Sequence, residues 1–578
     1  MVDVKVISPR KLKLVPVEEK LAGDVPKLEY NLDRVLFNPG VYQLQDKRSK
    51  VFNFDPYLAT IMPVEQFDFN ALKEYVTSSK DTRLRDLSAK YGKKYCGSTS
   101  SLTSMLAHFH FLLSAWRAPS FEHLSRSFNV EFESFTALTR GPAAAFARYK
   151  DGVYAIDADK EYDTANILSM LGKSMEKLLT IPKKEFEKYR RTKSHELSEE
   201  EKNADEAFHY STLGDFMLRS QLDAYDPRLP GTGMFDLKTR AVVSIRMDVE
   251  GYEKGLGYEI RNRFGEWESF EREYYDMIRA AFLKYSLQVR MGRMDGIFVA
   301  FHNTQRIFGF QYISLEEMDR ALHGTSDRSV GDQEFKASLK LLNEVLDRAS
   351  KRFPKRSLRL HIETRPTNPP LTYFFAEPVD EETINRTQET GRTKVEAFER
   401  EILGLSRKEK EEESRQLKEE LSARVQEDQL DKEALQESTS AEDPQRQKAW
   451  DEMMAKRELL GMYITVRNKM DDQVVERVEL REDWNEKRRW MVEYSITELP
   501  QERAERILAQ IRSRRKKTLQ SDPEERSRLW YRAWSGGLAK STAAGQLYRE
   551  TMKREERKDK GVKVAWTERT IPHRIFRS

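Results

Sequence analysis

The stretch LRSQLDAYDPRLPGTGMFDLKTRA, residues 218–241, sets Asp223, Asp236 and Lys238 in two extended runs around a segment dense in Pro and Gly. Asp236 and Lys238 are two apart, so on a strand the carboxylate and the ammonium face one side. A hairpin would bring the partner strand, with Asp223, to about 5 Å. Two carboxylates on neighbouring strands can approach one cation. Mg²⁺ prefers oxygen ligands, takes one or two carboxylates and keeps several waters. The chemistry such a set could serve is phosphodiester cleavage. The metal would neutralise charge on the phosphate and leaving oxygen and ease deprotonation of a water, and the lysine would hold that water or steady the phosphate. The competing reading is a surface salt bridge between Asp223 and Lys238, because Asp-x-Lys triplets are common. Asp226, three residues after Asp223, is a rival ligand.

The elements that must position these groups follow an α/β order. GSTSSLTSMLAHFHFLLSAW reads as a capped loop opening a helix, and plain capping is the preferred reading over a phosphate site at its start. His108 and His110, two apart, do not share a helical face and are read as core or surface histidines. DGVYAIDADKEYDTANILSMLGKSMEKLLT predicts a strand hairpin and then a helix, with Ile167, Met170, Leu171, Met175, Leu178 and Leu179 at helical spacing. Residues 182–205 are strongly charged and are expected to be a surface insertion. ESFEREYYDMIRAAFLKYSLQVRM predicts one long amphipathic helix. GIFVAFHN with RIFGFQYISL, and LRLHIETRPT with TYFFAEPV, predict two strand pairs.

The chain has 578 residues, enough for two to four domains at about 150 residues each. Charged residues make up 34% and hydrophobic ones 38%, with mean hydropathy −0.75, so part of the chain is expected to be solvated helix or tail. The net charge of +4 is uneven: residues 501–578 hold 21 Lys and Arg against 10 Asp and Glu. A basic tail on a mildly acidic body points to an anionic partner, the alternative being a solvated basic helix. The lone Cys96 excludes an intrachain disulfide and a cysteine-based zinc site and fits reducing surroundings. No apolar run reaches the roughly 18 residues a membrane span needs. The first residues show neither a secretory signal nor a clear transit peptide.

The Asp223–Lys238 stretch resembles the PD-(D/E)XK nuclease superfamily, its RecB-like and lambda-exonuclease-like branches above all. SQLDAYD and FDLKTR match its strand pair, with Asp223 and Asp236 at the metal-ligand positions, Lys238 at the catalytic lysine and Thr239 following it. The resemblance implies a third metal ligand on the upstream helix, four residues after a glycine. LGKSMEKLL supplies Gly172 and Glu176 in that register. It further implies a glutamine on the downstream helix, which Gln288 fits. Leu222 stands where the pattern often has proline, and residues 182–205 lengthen the gap between helix and hairpin. GSTSSLTSMLAHFHFLLSAW, LGKSMEKLLT, GTGMFDLKTRA and YSLQVRMGRMDGIFVAFHNT are similar to one fungal family, the mitochondrial Pet RNA-processing proteins numbered one hundred and twenty-seven, over roughly residues 30–380.

What the resemblance implies is an α/β fold: a restriction-endonuclease-like core, a central mixed sheet flanked by helices, with N-terminal and C-terminal extensions. The expected division is an N-terminal extension over 1–140, the nuclease-like core over 141–380, a charged helical or partly disordered linker over 381–455, and a basic α/β appendage over 456–578. The implied activity is a Mg²⁺-dependent (or Mn²⁺-dependent) exoribonuclease trimming RNA 5′ ends in the mitochondrial matrix, peripheral to the inner membrane, with the mitochondrial RNA polymerase as a further partner. Two alternatives stand: a non-catalytic RNA-binding or polymerase-regulating factor on a nuclease fold, and a DNA repair exonuclease. Arg290 and Arg293, just after Gln288, are candidates for a terminal phosphate, or for structural salt bridges. Trp530, Tyr531, Arg532, Trp534, Tyr548 and Trp566 among Lys and Arg read as an RNA clamp or a dock on anionic lipid, against the alternative of helices packing aromatics on the core.

Overall fold

The computed structural model describes residues 3–18, 23–163, 167–249, 252–389, 393, 458–479, 488–520, 523–558 and 563–565, without the side chains of 523–536. The expected linker falls almost wholly outside these residues, as do Trp566 and the side chains of Trp530, Tyr531, Arg532 and Trp534.

Two sheets carry the chain. The larger has twelve strands, running from Val4–Ile7 through Trp490–Glu498, Leu460–Met470, Leu371–Pro378, Leu358–Arg365, Ala143–Lys150, Val153–Ala158, Tyr95–Ser98, Phe216–Gln221 and Phe208–Leu213 to Val15–Val17, with Gln473–Val475 branching off Leu460–Met470. The smaller has five strands in the order Val41–Gln43, Ile307–Ser314, Gly296–His302, Met234–Ala241 and Ala224–Tyr225. Both are mixed. In the smaller, only Met234–Ala241 and Gly296–His302 run parallel. They are joined by a helical crossover, as a parallel pair requires. The mixed α/β class, with sheets flanked by helices, is as expected, though the strands divide between two sheets rather than one.

Burial follows the two-residue period of the strands. On Met234–Ala241, Phe235 and Leu237 enter a core with Met170, Leu171, Met175 and Leu178 of the helix Ile167–Thr180. The opposite face of the neighbouring strand, Ile297, Val299 and Phe301, joins a larger core with Leu102, Leu106 and Phe109 of the helix Thr99–Leu113 and Leu287 of the helix Phe282–Met291. The single long helix expected over 269–291 is broken at Ala281 (φ −133°) into Phe270–Ala280 and Phe282–Met291. The expected surface insertion at 182–205 forms short helical turns over 183–202 and docks through Phe186, Tyr189 and Leu197, which are buried in the core shared with the Met175 helix. The strands after the linker extend the large sheet from Leu371–Pro378, and Val4–Ile7 pairs with Trp490–Glu498, so strands from before and after the linker share one sheet. No described helix is long and apolar enough to cross a membrane.

Candidate active site

Asp236 and Lys238 lie on the same face of Met234–Ala241, toward the helix Phe282–Met291. Asp236 is buried, and its Oδ2 sits 2.5 Å from the Lys238 ammonium. That ammonium also lies 5.3 Å from the centroid of the Tyr285 ring, which gives it a second favourable contact.

Asp223 is placed by an interruption. The run expected as one strand is two: Phe216–Gln221 in the large sheet and Ala224–Tyr225 in the small one, with Leu222 and Asp223 between. Ala224 and Tyr225 pair with Phe235 and Met234, and there the pairing stops. The next free amide, that of Leu237, donates instead to the Asp223 carboxylate at 3.0 Å. The side chain thus takes over where the ladder ends, satisfying a backbone donor that is costly to leave unpaired.

Asp223 and Asp236 lie close enough for each carboxyl to act directly on the other. Two carboxylates so placed repel, which favours a proton on one of them. Burial first, then Asp236, pushes the Asp223 carboxyl well above the usual range. Burial works against Asp236 as well. The ammonium of Lys238 and the hydrogen bond from Asp223 outweigh it and hold Asp236 below the usual value. Lys238 is raised in turn: burial lowers it, but Asp236 and Asp223 prevail. A crowded pair of carboxyls, one buried and one half-buried, flanked by an ammonium, is a site that a divalent cation fits by relieving their repulsion.

Glu176 lies on Ile167–Thr180, which packs on the other face of the same strand. A Cβ on Gly172 would stand 3.9 Å from Thr239 Oγ1, so this helix crosses the strand over Thr239. Thr239 therefore faces the helix rather than the carboxyl pair. Glu176 is within electrostatic reach of both aspartates. Burial, opposed by Lys177 and helped by Glu206, pushes its carboxyl up to about 7. It does not close on the pair: among the described residues, the only three His, Cys, Asp or Glu donors all within 4.8 Å of one another are elsewhere, at His110, His323 and Glu334.

Gln288 leaves its Oε1 buried without a hydrogen-bond partner, an orphan acceptor of the kind a functional site tolerates. One turn earlier, Lys284, exposed at the cleft, feels Lys238 and Asp236, and its amine is held below the usual value by desolvation and by the neighbouring ammonium. Lys284 and Tyr285 escaped the sequence reading, although Lys284 shares a helical face with Gln288 by spacing alone. Arg240, two beyond Lys238, was also missed. It is buried, two of its guanidinium nitrogens have no hydrogen-bond partner, and burial and Arg246 lower it to about 10.

Arg290 corrects an expectation. It is buried and committed to Asp319 and, at 3.0 Å, to Asp332, so it is an internal ion pair and not a free phosphate contact. Two residues from Gln288 on a helix, it faces away from that side chain. Arg293 is exposed, with φ 52°. Asp226 is engaged by Arg228 at 2.6 and 2.9 Å and is unavailable as a ligand. The start of Thr99–Leu113 is satisfied by a Ser98–Ser101 capping box. His108 meets Gly141 and Thr364, whereas His110 meets Glu334. Cys96 is buried. Tyr548 lies under the Arg261 guanidinium, 5.5 Å away.

The family model described as mitochondrial protein Pet127 matches residues 75–347. The chain is 40% identical over 366 residues, 62% of its length and 69% of the relative's, to the Schizosaccharomyces pombe "mRNA degradation protein pet127, mitochondrial". It is 39% identical over 341 residues, 55% of its length and 40% of the relative's, to the Saccharomyces cerevisiae "Putative mitochondrial translation system component PET127". Among solved structures it is similar to Candida albicans Rai1 in complex with pU5 and Mn²⁺ (14% identity, TM-score 0.28, 65% of this chain and 100% of that one) and to Scheffersomyces stipitis Rai1 with (3′-NADP)⁺ and calcium (12%, TM-score 0.29, 68% and 100%), likenesses too loose to bear on the site. On the extent and identity of the fission-yeast match, the chain belongs to the Pet127 family.

Proposed function

We propose that the chain is a mitochondrial, divalent-metal-dependent ribonuclease that trims RNA from the 5′ end. The observation that carries this reading is the buried Asp236 with the half-buried Asp223 and Lys238 set against it. Asp223 and Asp236 would hold the cation, and Glu176, within electrostatic reach of both but not closed on them, would have to be drawn in to reach its third side. A Mg²⁺ or Mn²⁺ held there would neutralise phosphate charge and supply a reactive water near neutral pH. Lys238, kept cationic by two aspartates, would position that water or the phosphate oxygen. Gln288, with its free acceptor, would orient a water or ribose hydroxyl. Lys284 adds a second cation at the cleft, and Arg293 one at its rim.

The names of the two yeast relatives support mitochondrial RNA metabolism. The tail's 21 Lys and Arg against 10 Asp and Glu support a backbone-tracking grip on RNA or a peripheral seat on the anionic inner membrane, on the matrix side. Contact with the mitochondrial RNA polymerase is carried over from the family resemblance alone. The test is digestion of 5′-labelled RNA and single-stranded DNA with and without Mg²⁺, alongside Asp236→Ala. Metal-dependent loss of RNA 5′ ends that Asp236→Ala abolishes is expected. RNA bound but never cut would leave a non-catalytic factor, and cleavage confined to DNA would make it a DNA exonuclease.

A further inference from the structure

Behind the helix Phe282–Met291, away from the carboxyl pair, three helices bring together His110 of Thr99–Leu113, His323 at the end of Leu315–His323, and Glu334 of Arg328–Arg352. All three are buried, and one donor atom from each lies within 4.8 Å of the others. His110 Nδ1 contacts Glu334 Oε1, and His323 Nδ1 stands 3.8 Å from Glu334 Oε2, so both imidazoles turn a nitrogen to one carboxylate. The packing is close: a Cβ on Gly331 would come 3.0 Å from His323 Nε2.

The surroundings fix how the His323 ring is used. Its Nδ1 lies 3.4 Å from the Arg117 guanidinium, a donor only, which makes Nδ1 the lone-pair nitrogen. Its Nε2 then carries the proton and faces Asp319 Oδ1 at 3.8 Å. That oxygen is fully buried and has no hydrogen-bond partner, and neither does His110 Nε2. A histidine with its lone pair toward a shared point and its other N–H toward a carboxylate is the arrangement of a metal-ligating imidazole with its outer partner. Arg290 is spent on Asp319 and Asp332, which leaves Glu334 to the two rings.

We propose that His110, His323 and Glu334 bind a structural zinc ion that pins these three helices together. Two imidazoles and a carboxylate are a donor set that zinc takes, with a water in the fourth position. Neighbouring donors around tetrahedral zinc lie about 3.3 Å apart, so binding draws the cluster inward, displaces Arg117 and moves His323 Nε2 toward hydrogen-bonding distance of Asp319.

The test is metal analysis of the full-length chain after dialysis free of chelator, followed by exchange for Co²⁺. About one zinc per chain is expected, together with the intense visible absorption of tetrahedral Co²⁺, which a carboxylate-and-water site does not give. Asp236→Asn should keep both, and His110→Gln should lose both. The spectrum is read on the unaltered chain, so it does not depend on a buried variant folding. Absence of stoichiometric zinc and of the Co²⁺ bands in the unaltered chain would overturn the proposal and leave a buried histidine–glutamate ion pair. So would full zinc retention by His110→Gln, or loss of zinc in Asp236→Asn.

Discussion

Replacing Asp223 with Asn should stabilise the metal-free protein while abolishing cleavage. Two unit charges about 4 Å apart at an effective dielectric constant near 20 repel by about 4 kcal/mol. Burial and Asp236 raise the Asp223 carboxyl well above its ordinary value, which favours its protonated form and so relieves that repulsion. For a raised carboxyl the sign is clear: its favourable share is present below the unfolded pKa and is lost as pH rises, so at pH 7 holding the proton is a penalty. Asn carries no such penalty. Its Oδ1 still accepts from Leu237 N, and its amide donates to Asp236.

A net gain of about 1–2 kcal/mol is expected for Asp223→Asn in chelator, smaller than the full repulsion because the wild type already relieves most of it by protonation. Urea unfolding with and without Mg²⁺ is the assay. At ten times its Kd the ion should add about 1.4 kcal/mol to the wild type and much less to the variant, so Mg²⁺ should close most of the gap between them. The chelator advantage should also shrink as pH falls toward about 4, where an unfolded aspartate is itself protonated. A variant less stable than wild type in chelator, or equal stabilisation of both by Mg²⁺, would refute the crowded carboxyl pair and with it the metal site.

Arg290→Ala should cost about 3–5 kcal/mol in urea unfolding, because it strands Asp319 in the core. Arg293→Ala should stay within about 0.5 kcal/mol of wild type and instead weaken RNA binding, read by fluorescence anisotropy across a salt series. Cys96, whose thiol burial pushes up to about 12, should resist Ellman's reagent at pH 8 until the chain is unfolded; rapid labelling of the native protein would contradict its placement. Burial holds His108 at about 4 and His302 at about 3. A depressed histidine contributes stability above its unfolded pKa of about 6.5 and loses it on acidification, roughly 2 kcal/mol each by pH 5. His302→Gln should therefore flatten the acid limb of stability against pH.

The parts of the site that depend on short-range periodicity were legible. Asp236 and Lys238 share a face because a strand repeats every two residues, and the same rule extended once more would have found Arg240. Gln288 was legible through the resemblance, and the helix repeat then points back to Lys284. For Arg290 the two readings stayed open because its partners, Asp319 and Asp332, lie on later helices that no local pattern links to it. For the surface insertion at 182–205 the sequence was silent on where it docks: its charges outnumber Phe186, Tyr189 and Leu197, yet those three residues decide where it packs.

The deeper gap concerns Asp223. Its strand-like run was legible, but not that the run divides between two sheets. Phe216–Gln221 is claimed by Tyr95–Ser98, a parallel partner more than a hundred residues upstream. Ala224–Tyr225 is claimed by Met234–Ala241. Which sheet a residue joins is a long-range choice, set by which faces must be buried, and local alternation is silent about it. The switch leaves the edge strand only two residues long. That shortness exposes the Leu237 amide to a side-chain acceptor. A longer edge strand would have paired Leu237 through the backbone. The site therefore stands where the small sheet's own hydrogen bonding runs out, and side chains complete what the ladder leaves undone.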